Sequence, residues 1–144
     1  MQPNQSARLA VGPWGGDYRN LKVLIVDDSS VNRRIAGSVL ERLGCETNFA
    51  YNGLQAIAAM GERRFDLVLM DLHMPEMDGF DAVRQIRAHE TGPIRTVIVA
   101  LSGEDSERYI HGEMPFGFDD ALHKPLRIED LLEVLERQLR QSHP

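Results

Sequence analysis

Residues 22–28 read KVLIVDD, an uninterrupted apolar run that stops on two adjacent carboxylates. A continuous, β-branched run of this kind suits a strand buried on both faces, as in a parallel sheet. The two acids at its end are the difficulty. Side by side they repel, and burying them costs several kcal/mol unless something positive pairs them. A cation is therefore expected near Asp27 and Asp28, and the rest of the chain can be read as a search for it.

Outward from that strand, short apolar runs alternate with amphipathic stretches. Ser29 or Ser30 can cap a helix in which Val31, Ile35, Val39 and Leu43 recur at i, i+4 spacing, with Gly44 at its end. CETNFA is a weaker strand, and residues 53–60 form a short helix followed by Gly61. FDLVLMD is a second strand that ends in acid, at Asp71. Phe80, Val83 and Ile86 mark a further helix, TVIVALS is a strand ending at Ser102, and DALHKP holds a short strand ending near Lys124. Ile128, Leu131, Leu132, Leu135 and Leu139 lie on one stripe of a last helix, whose charged side reads as a solvated face. Five strands alternating with five helices imply an α/β architecture, a doubly wound parallel sheet with helices on both faces. Reactive groups in such sheets gather beyond the carboxyl ends of the strands. Here those ends carry Asp27, Asp28, Asp71, Ser102 and Lys124.

Composition narrows the function classes. The 144 residues suit one domain, and 42% apolar with 26% charged residues is ordinary for a soluble globular protein. A net charge of -6 argues against nucleic acid as the main partner. A lone cysteine, Cys45, excludes an internal disulfide and fits a reducing compartment. No apolar run approaches the ~20 residues of a membrane span, and the N-terminus lacks a secretory pattern, so a cytoplasmic location is expected. Of the 16 basic residues, 14 are arginine and only Lys22 and Lys124 are lysine. A lysine kept against that bias points to a chemical requirement at Lys124. Residues 1–20 show no sustained period and read as a flexible leader, in which Trp14 and Tyr18 can dock onto the domain or a partner.

Three carboxylates against one ammonium leave negative charge to be neutralised, and all-oxygen ligation selects magnesium, calcium or manganese over zinc. Magnesium, which binds through one or two carboxylates and shares its shell with phosphate, is expected, with manganese possible. The constellation resembles the receiver domain of two-component response regulators, which has a flavodoxin-like fold. The resemblance covers residues 21–141 and rests on VLIVDDSSVNRR, LVLMDLHMPEMDGF, VIVALSG and ALHKP, in that order. It implies strand order 2-1-3-4-5 and a role for each residue. Asp71 would be the phosphoacceptor, taking a phosphoryl group from a phosphohistidine on a histidine kinase or histidine phosphotransfer domain. Asp28, Asp71 and the backbone carbonyl of His73 would ligate magnesium, and Asp27 would act through water. Lys124 and Ser102 would hold phosphoryl oxygens. Such a domain signals by protein contact and is not an enzyme beyond its own phosphorylation and dephosphorylation. A monomer is expected.

DDSSVNR looks most like receivers attached to hybrid kinases. The stretch after Lys124 is too short for an output domain, so a stand-alone regulator and a receiver excised from a hybrid kinase both fit. In MPEMDG, Pro75 would fix φ and Gly79 would free it. Asn32 can cap or bond locally, His73 can reach the site mouth or face solvent, and His123 should be on the surface. Met70, Met74 and Met77 read as packing and loop residues.

The chain departs from the family at Ala121, where receivers usually carry Tyr or Phe, and Gly112 and Pro115 interrupt the helix expected before it. Phe116, Phe118 or Tyr109 can fill the space. Two rivals stand beside the receiver reading. One is a receiver-fold scaffold that signals without phosphorylation. The other is an aspartyl-phosphate phosphatase, disfavoured because His73 occupies the place of its second Asp. No G-x-G-x-x-G follows the first strand, which argues against a dinucleotide site.

Overall fold

A computed structural model describes residues 18–74, 76–90, 92, 95–103 and 117–142. The elements run β1 (Lys22–Val26), α1 (Ser30–Arg42), β2 (Glu46–Ala50), α2 (Gly53–Glu62), β3 (Leu67–Asp71), α3 (Gly79–His89), β4 (Val97–Ser102), β5 (Asp120–His123) and α4 (Ile128–Ser142). All strand pairs are parallel and the sheet order is β2-β1-β3-β4-β5, as expected. Four helices occur among the described residues, against five expected. The fifth, with its interruptions at Gly112 and Pro115, falls in 104–116, outside the described residues. So do Pro75, Tyr109 and Phe116.

Every residue of β3 and β4 is buried, and β1 is buried after Lys22. Successive side chains of these central strands point to opposite faces, so the sheet separates two apolar clusters. One holds Val23, Ile25, Leu69 and Val99 against α1 and α4, through Leu40, Leu131 and Leu135. The other holds Leu24, Val68, Met70 and Ile98 with Ala56, Val83, Ile86 and Phe118. Tyr18 is fully buried in the first cluster. Among the described residues, no helix is long and apolar enough to cross a membrane.

Three local readings need correction. The buried residues of α1 are Ala36, Gly37 and Leu40; of the expected stripe Leu43 is buried and Val39 packs against the core, whereas Val31 is 60% and Ile35 39% exposed. Small residues let the helix approach the sheet closely: a Cβ at position 37 would come within 2.9 Å of the Phe49 ring. Helix α2 passes through Gly61, which faces open space, and ends at Glu62. Gly79 is required for room and not for φ. A Cβ there would overlap the carbonyl oxygen of Asp71, and the left-handed position of this loop is taken by Glu76, with φ of 70°.

Candidate phosphoacceptor site

The strand ends bring the singled-out side chains together. Asp27 follows β1 directly, Asp71 is the last residue of β3, Ser102 closes β4 and Lys124 follows β5. Ser102 pairs in register with His123, and the Lys124 N–H donates to the Ser102 carbonyl at 2.8 Å, which fixes where the lysine leaves the sheet. The Lys124–Pro125 peptide is cis. Lys124 Nζ lies 2.8 Å from Asp71 Oδ1 and 3.2 Å from Asp27 Oδ2, so it is the cation that the opening stretch demanded.

Asp27, Asp71 and Ser102 are buried; Asp28 is exposed at the mouth. One carboxylate oxygen from each of Asp27, Asp28 and Asp71 lies within 4.8 Å of the other two. The Ser29 N–H donates to Asp27 Oδ1 at 2.9 Å, and the same serine caps α1 through its Oγ, which accepts from the Asn32 N–H at 3.2 Å. Of the alternatives at this helix start, Ser29 is therefore the cap. The His73 N–H donates to Asp71 Oδ1 at 3.2 Å, while the His73 side chain is exposed. His123 is exposed, Met70 is core, and Met74 and Met77 pack at the core margin.

The site is under-neutralised. Asp71 Oδ2 and Ser102 Oγ are buried with no hydrogen-bond partner among the described residues. Asp27 Oδ2 touches Lys124 as a charge contact only, without hydrogen-bond alignment. Burial holds the Asp71 carboxyl above its ordinary range; the Asp27 charge adds to this, and Lys124 and the His73 N–H oppose it. Burial alone would lower the Lys124 ammonium, but its bond to Asp71 and the charges of Asp71 and Asp27 raise it. An orphaned buried carboxylate oxygen beside two further carboxylates is a donor set that fits a hard divalent cation. A cavity of about 500 Å³ between α2 and α3 lies at the opposite end of the sheet, around Phe65 and Thr96. The carboxylates lie at the other edge, with Asp27 and Asp71 buried and Asp28 exposed.

Ala121 is buried beside Ala100, its partner in the sheet. Phe118 is buried in the same cluster and meets Phe80 edge-on, with ring centroids 6.0 Å apart. Sequence reasoning missed two contributions. One is the close approach of Gly79 to Asp71. The other is Arg33, whose guanidinium donates to the Asp27 carbonyl at 2.7 Å.

A doubly wound sheet whose carboxyl edge carries an acidic pocket closed by a lysine defines a class of signalling domain. The chain belongs to the response regulator receiver domain family, whose model matches residues 23–136. Among curated proteins it is 49% identical over 148 residues to "Probable histidine kinase 1" of Oryza sativa subsp. indica, covering 82% of this chain and 15% of that protein. It is 38% identical over 121 residues to "Hybrid signal transduction histidine kinase G" of Dictyostelium discoideum, covering 83% and 4%. The chain thus spans a small fraction of these relatives. Among solved structures, the receiver domain of sensor histidine kinase PA1611 from Pseudomonas aeruginosa PAO1 matches with a TM-score of 0.72 and 32% identity, over 82% of this chain and 96% of that one. That structure has a magnesium ion in its active site cleft. The receiver domain of Ssk1, crystallised with the Saccharomyces cerevisiae histidine phosphotransfer protein Ypd1, matches with a TM-score of 0.75 and 28% identity, over 88% and 94%.

Proposed function

We propose that this domain accepts a phosphoryl group from a phosphohistidine onto Asp71, with magnesium, and passes the signal on by protein contact. The observation that carries this reading is the Lys124 ammonium bridging Asp71 and Asp27 while a second Asp71 oxygen stays buried and unpartnered. A carboxylate oxygen of Asp71 forms the bond to phosphorus as the P–N bond breaks. The electron pair leaves on the imidazole nitrogen of the donor. Phosphoryl transfer asks little covalent help beyond in-line placement and neutralised equatorial oxygens. Lys124 supplies one positive charge at that position, and Ser102 Oγ is a free donor for another phosphoryl oxygen.

Asp28, Asp71 and the His73 carbonyl would hold the metal, with Asp27 acting through water; manganese suits the same oxygens. When bound, the ion offsets the charge of the carboxylates and of the incoming phosphoryl group. The partner is a histidine kinase or histidine phosphotransfer domain, met in the cytoplasm by a monomeric receiver. It would dock over the first turns of α1, where Val31 and Ile35 are exposed beside Asn32, Arg33 and Arg34. Exposed apolar side chains next to a reactive rim are what a docking partner needs to exclude water.

Acetyl phosphate labelling with magnesium tests the reading. The wild-type protein should gain one phosphoryl group, and Asp71→Asn or chelation of the metal should abolish it with the fold retained. Labelling of Asp71→Asn at the wild-type rate would remove Asp71 as acceptor. No labelling of the wild type by small donors or a cognate phosphohistidine would favour the phosphorylation-independent scaffold.

A further inference from the structure

The turn from β1 into α1 has to present two neighbouring carboxylates in fixed directions, although their mutual repulsion tends to open it. Three contacts hold its backbone. The Asp27 N–H donates to the Ala50 carbonyl at 3.2 Å, and the Ser29 N–H returns to Asp27 Oδ1. The third contact is to the Asp27 carbonyl, the group whose rotation would swing Asp28. It comes from Arg33, six residues along the chain in the first turn of α1, at 2.7 Å.

Arg33 is itself held. Its guanidinium carbon sits 4.2 Å from the centroid of the Tyr51 ring, within cation–π distance. Tyr51 is 54% exposed, but its backbone is held. It follows Ala50, the residue already paired with Asp27, and its N–H donates to Gln55 Oε1 at 2.8 Å. Asn52 then caps α2, its side chain accepting from the Gln55 N–H at 2.8 Å. A planar guanidinium can lie flat on a ring while pointing one N–H in its own plane at a carbonyl; an ammonium cannot do both as well.

We infer that Arg33 and Tyr51 form a latch that sets the Asp27–Asp28 turn for metal binding, with Arg33 as the positioning residue and the Tyr51 ring as its support. The latch ties the metal-binding turn to the residues that lead into α2. The inference rests on the metal-dependent reading above for its consequence, and on the two contacts for its geometry.

The test compares Arg33→Met, Tyr51→Ala, their double variant and Tyr51→Phe by calorimetric titration with magnesium chloride. Amide hydrogen exchange at Ser29 is followed in metal-free protein. Loss of either partner should weaken magnesium binding about two- to five-fold, the size of an exposed cation–π contact. It should also speed exchange of the Ser29 amide, while the amides of β3 and β4 stay protected as in wild type. Tyr51→Phe, which keeps the ring, should restore both. The double variant should be no worse than the poorer single variant, because the two residues act through one contact. Wild-type magnesium affinity and Ser29 exchange in both single variants would overturn the latch while leaving phosphorylation of Asp71 intact. Additive losses would also overturn it, by showing that the residues act separately. A wild-type protein that binds no magnesium would overturn the metal role along with the reading it rests on.

Discussion

The two ends of the sheet solve the burial of acid in opposite ways. At the amino end, the Arg87 side chain is 6% exposed and fully engaged. It donates to the Gly117 carbonyl at 2.9 Å, the Thr96 carbonyl at 2.8 Å, both oxygens of Glu90 at 3.0 Å and Asp119 Oδ2 at 2.8 Å. The carboxylates are satisfied in turn: Glu90 Oε2 accepts the Thr96 N–H, Asp119 Oδ2 accepts the Ile98 N–H, and Arg95 pairs with Asp119 Oδ1. At the carboxyl end, one lysine faces Asp27 and Asp71 with Asp28 beside them, and polar atoms are left over. Two acids with two arginines form a closed network that joins α3 to the starts of β4 and β5. Two buried acids with one lysine leave Asp71 Oδ2 and Ser102 Oγ without a hydrogen-bond partner among the described residues. The acids at the carboxyl end are the more deeply buried, at 1–2% side-chain exposure against 19–21%, and yet the less fully paired.

That contrast is most easily broken at Arg87. Arg87→Met keeps the stem but leaves Glu90 and Asp119 partly buried against each other's network, and removes donors to two carbonyls. Removing one member of a buried, hydrogen-bonded charge group costs about 3–5 kcal/mol, and partial exposure of the two acids puts the expected loss at ~2–4 kcal/mol. Chemical denaturation would measure it. A variant as stable as wild type would show that the network is not what holds this end together.

The carboxyl end should respond in the other direction. Asp28→Asn removes one of three crowded charges, so the metal-free protein should be as stable as wild type or more so. The same change removes a charged hard ligand and should weaken magnesium binding by a factor of ten or so, about 1.4 kcal/mol. Melting at a series of magnesium concentrations reads both effects together. An unchanged magnesium response would take Asp28 out of the ligand set, and a large loss of metal-free stability would mean that this end is structural as well.

The rim was legible in the sequence because Asp27, Asp71 and Ser102 end apolar runs, which a parallel sheet brings to one edge, and because Lys124 is one of only two lysines. The run KVLIV and the run LVLMD needed no partner to be recognised. The amino-end network was not legible, since Arg87 meets residues 3, 9, 30 and 32 positions along the chain, with no local pattern to mark them. The stripe of α1 was right at Val39 and Leu43 and misread at Val31 and Ile35 for a related reason. Periodicity weighs large apolar residues, and it selected Val31 and Ile35, whereas close helix–sheet packing used Ala36 and Gly37. The large residues left outside sit beside the rim, where a partner rather than the core would cover them. Gly79 was noticed as a turn residue, but the carbonyl it makes room for belongs to a strand fixed only by tertiary structure.

Between the two ends lies a pair that should show the smallest effect. Asp120, at the start of β5, accepts two bonds from Arg137 on α4, at 2.8 and 3.0 Å, and one from Gln138 at 2.9 Å. Burial alone would raise its carboxyl, but the bonds from Arg137, Gln138 and the Ala121 N–H outweigh that and hold it below its ordinary range. A depressed carboxyl stabilises the fold in its ionised form. The contribution is therefore fully present above the unfolded value of about 3.9 and is lost as pH falls through the lower folded value. Arg137 is half exposed, so solvent screening limits the pair to at most ~1 kcal/mol. Arg137→Met should be slightly less stable than wild type at neutral pH, and the gap should close in acid once Asp120 is protonated. High salt should narrow it as well. Denaturant midpoints of both proteins from pH 7 down to pH 2 would test this. A gap that persisted undiminished at the acid limit would mean that the Arg137 stem packs against the sheet edge and that its charge contributes nothing.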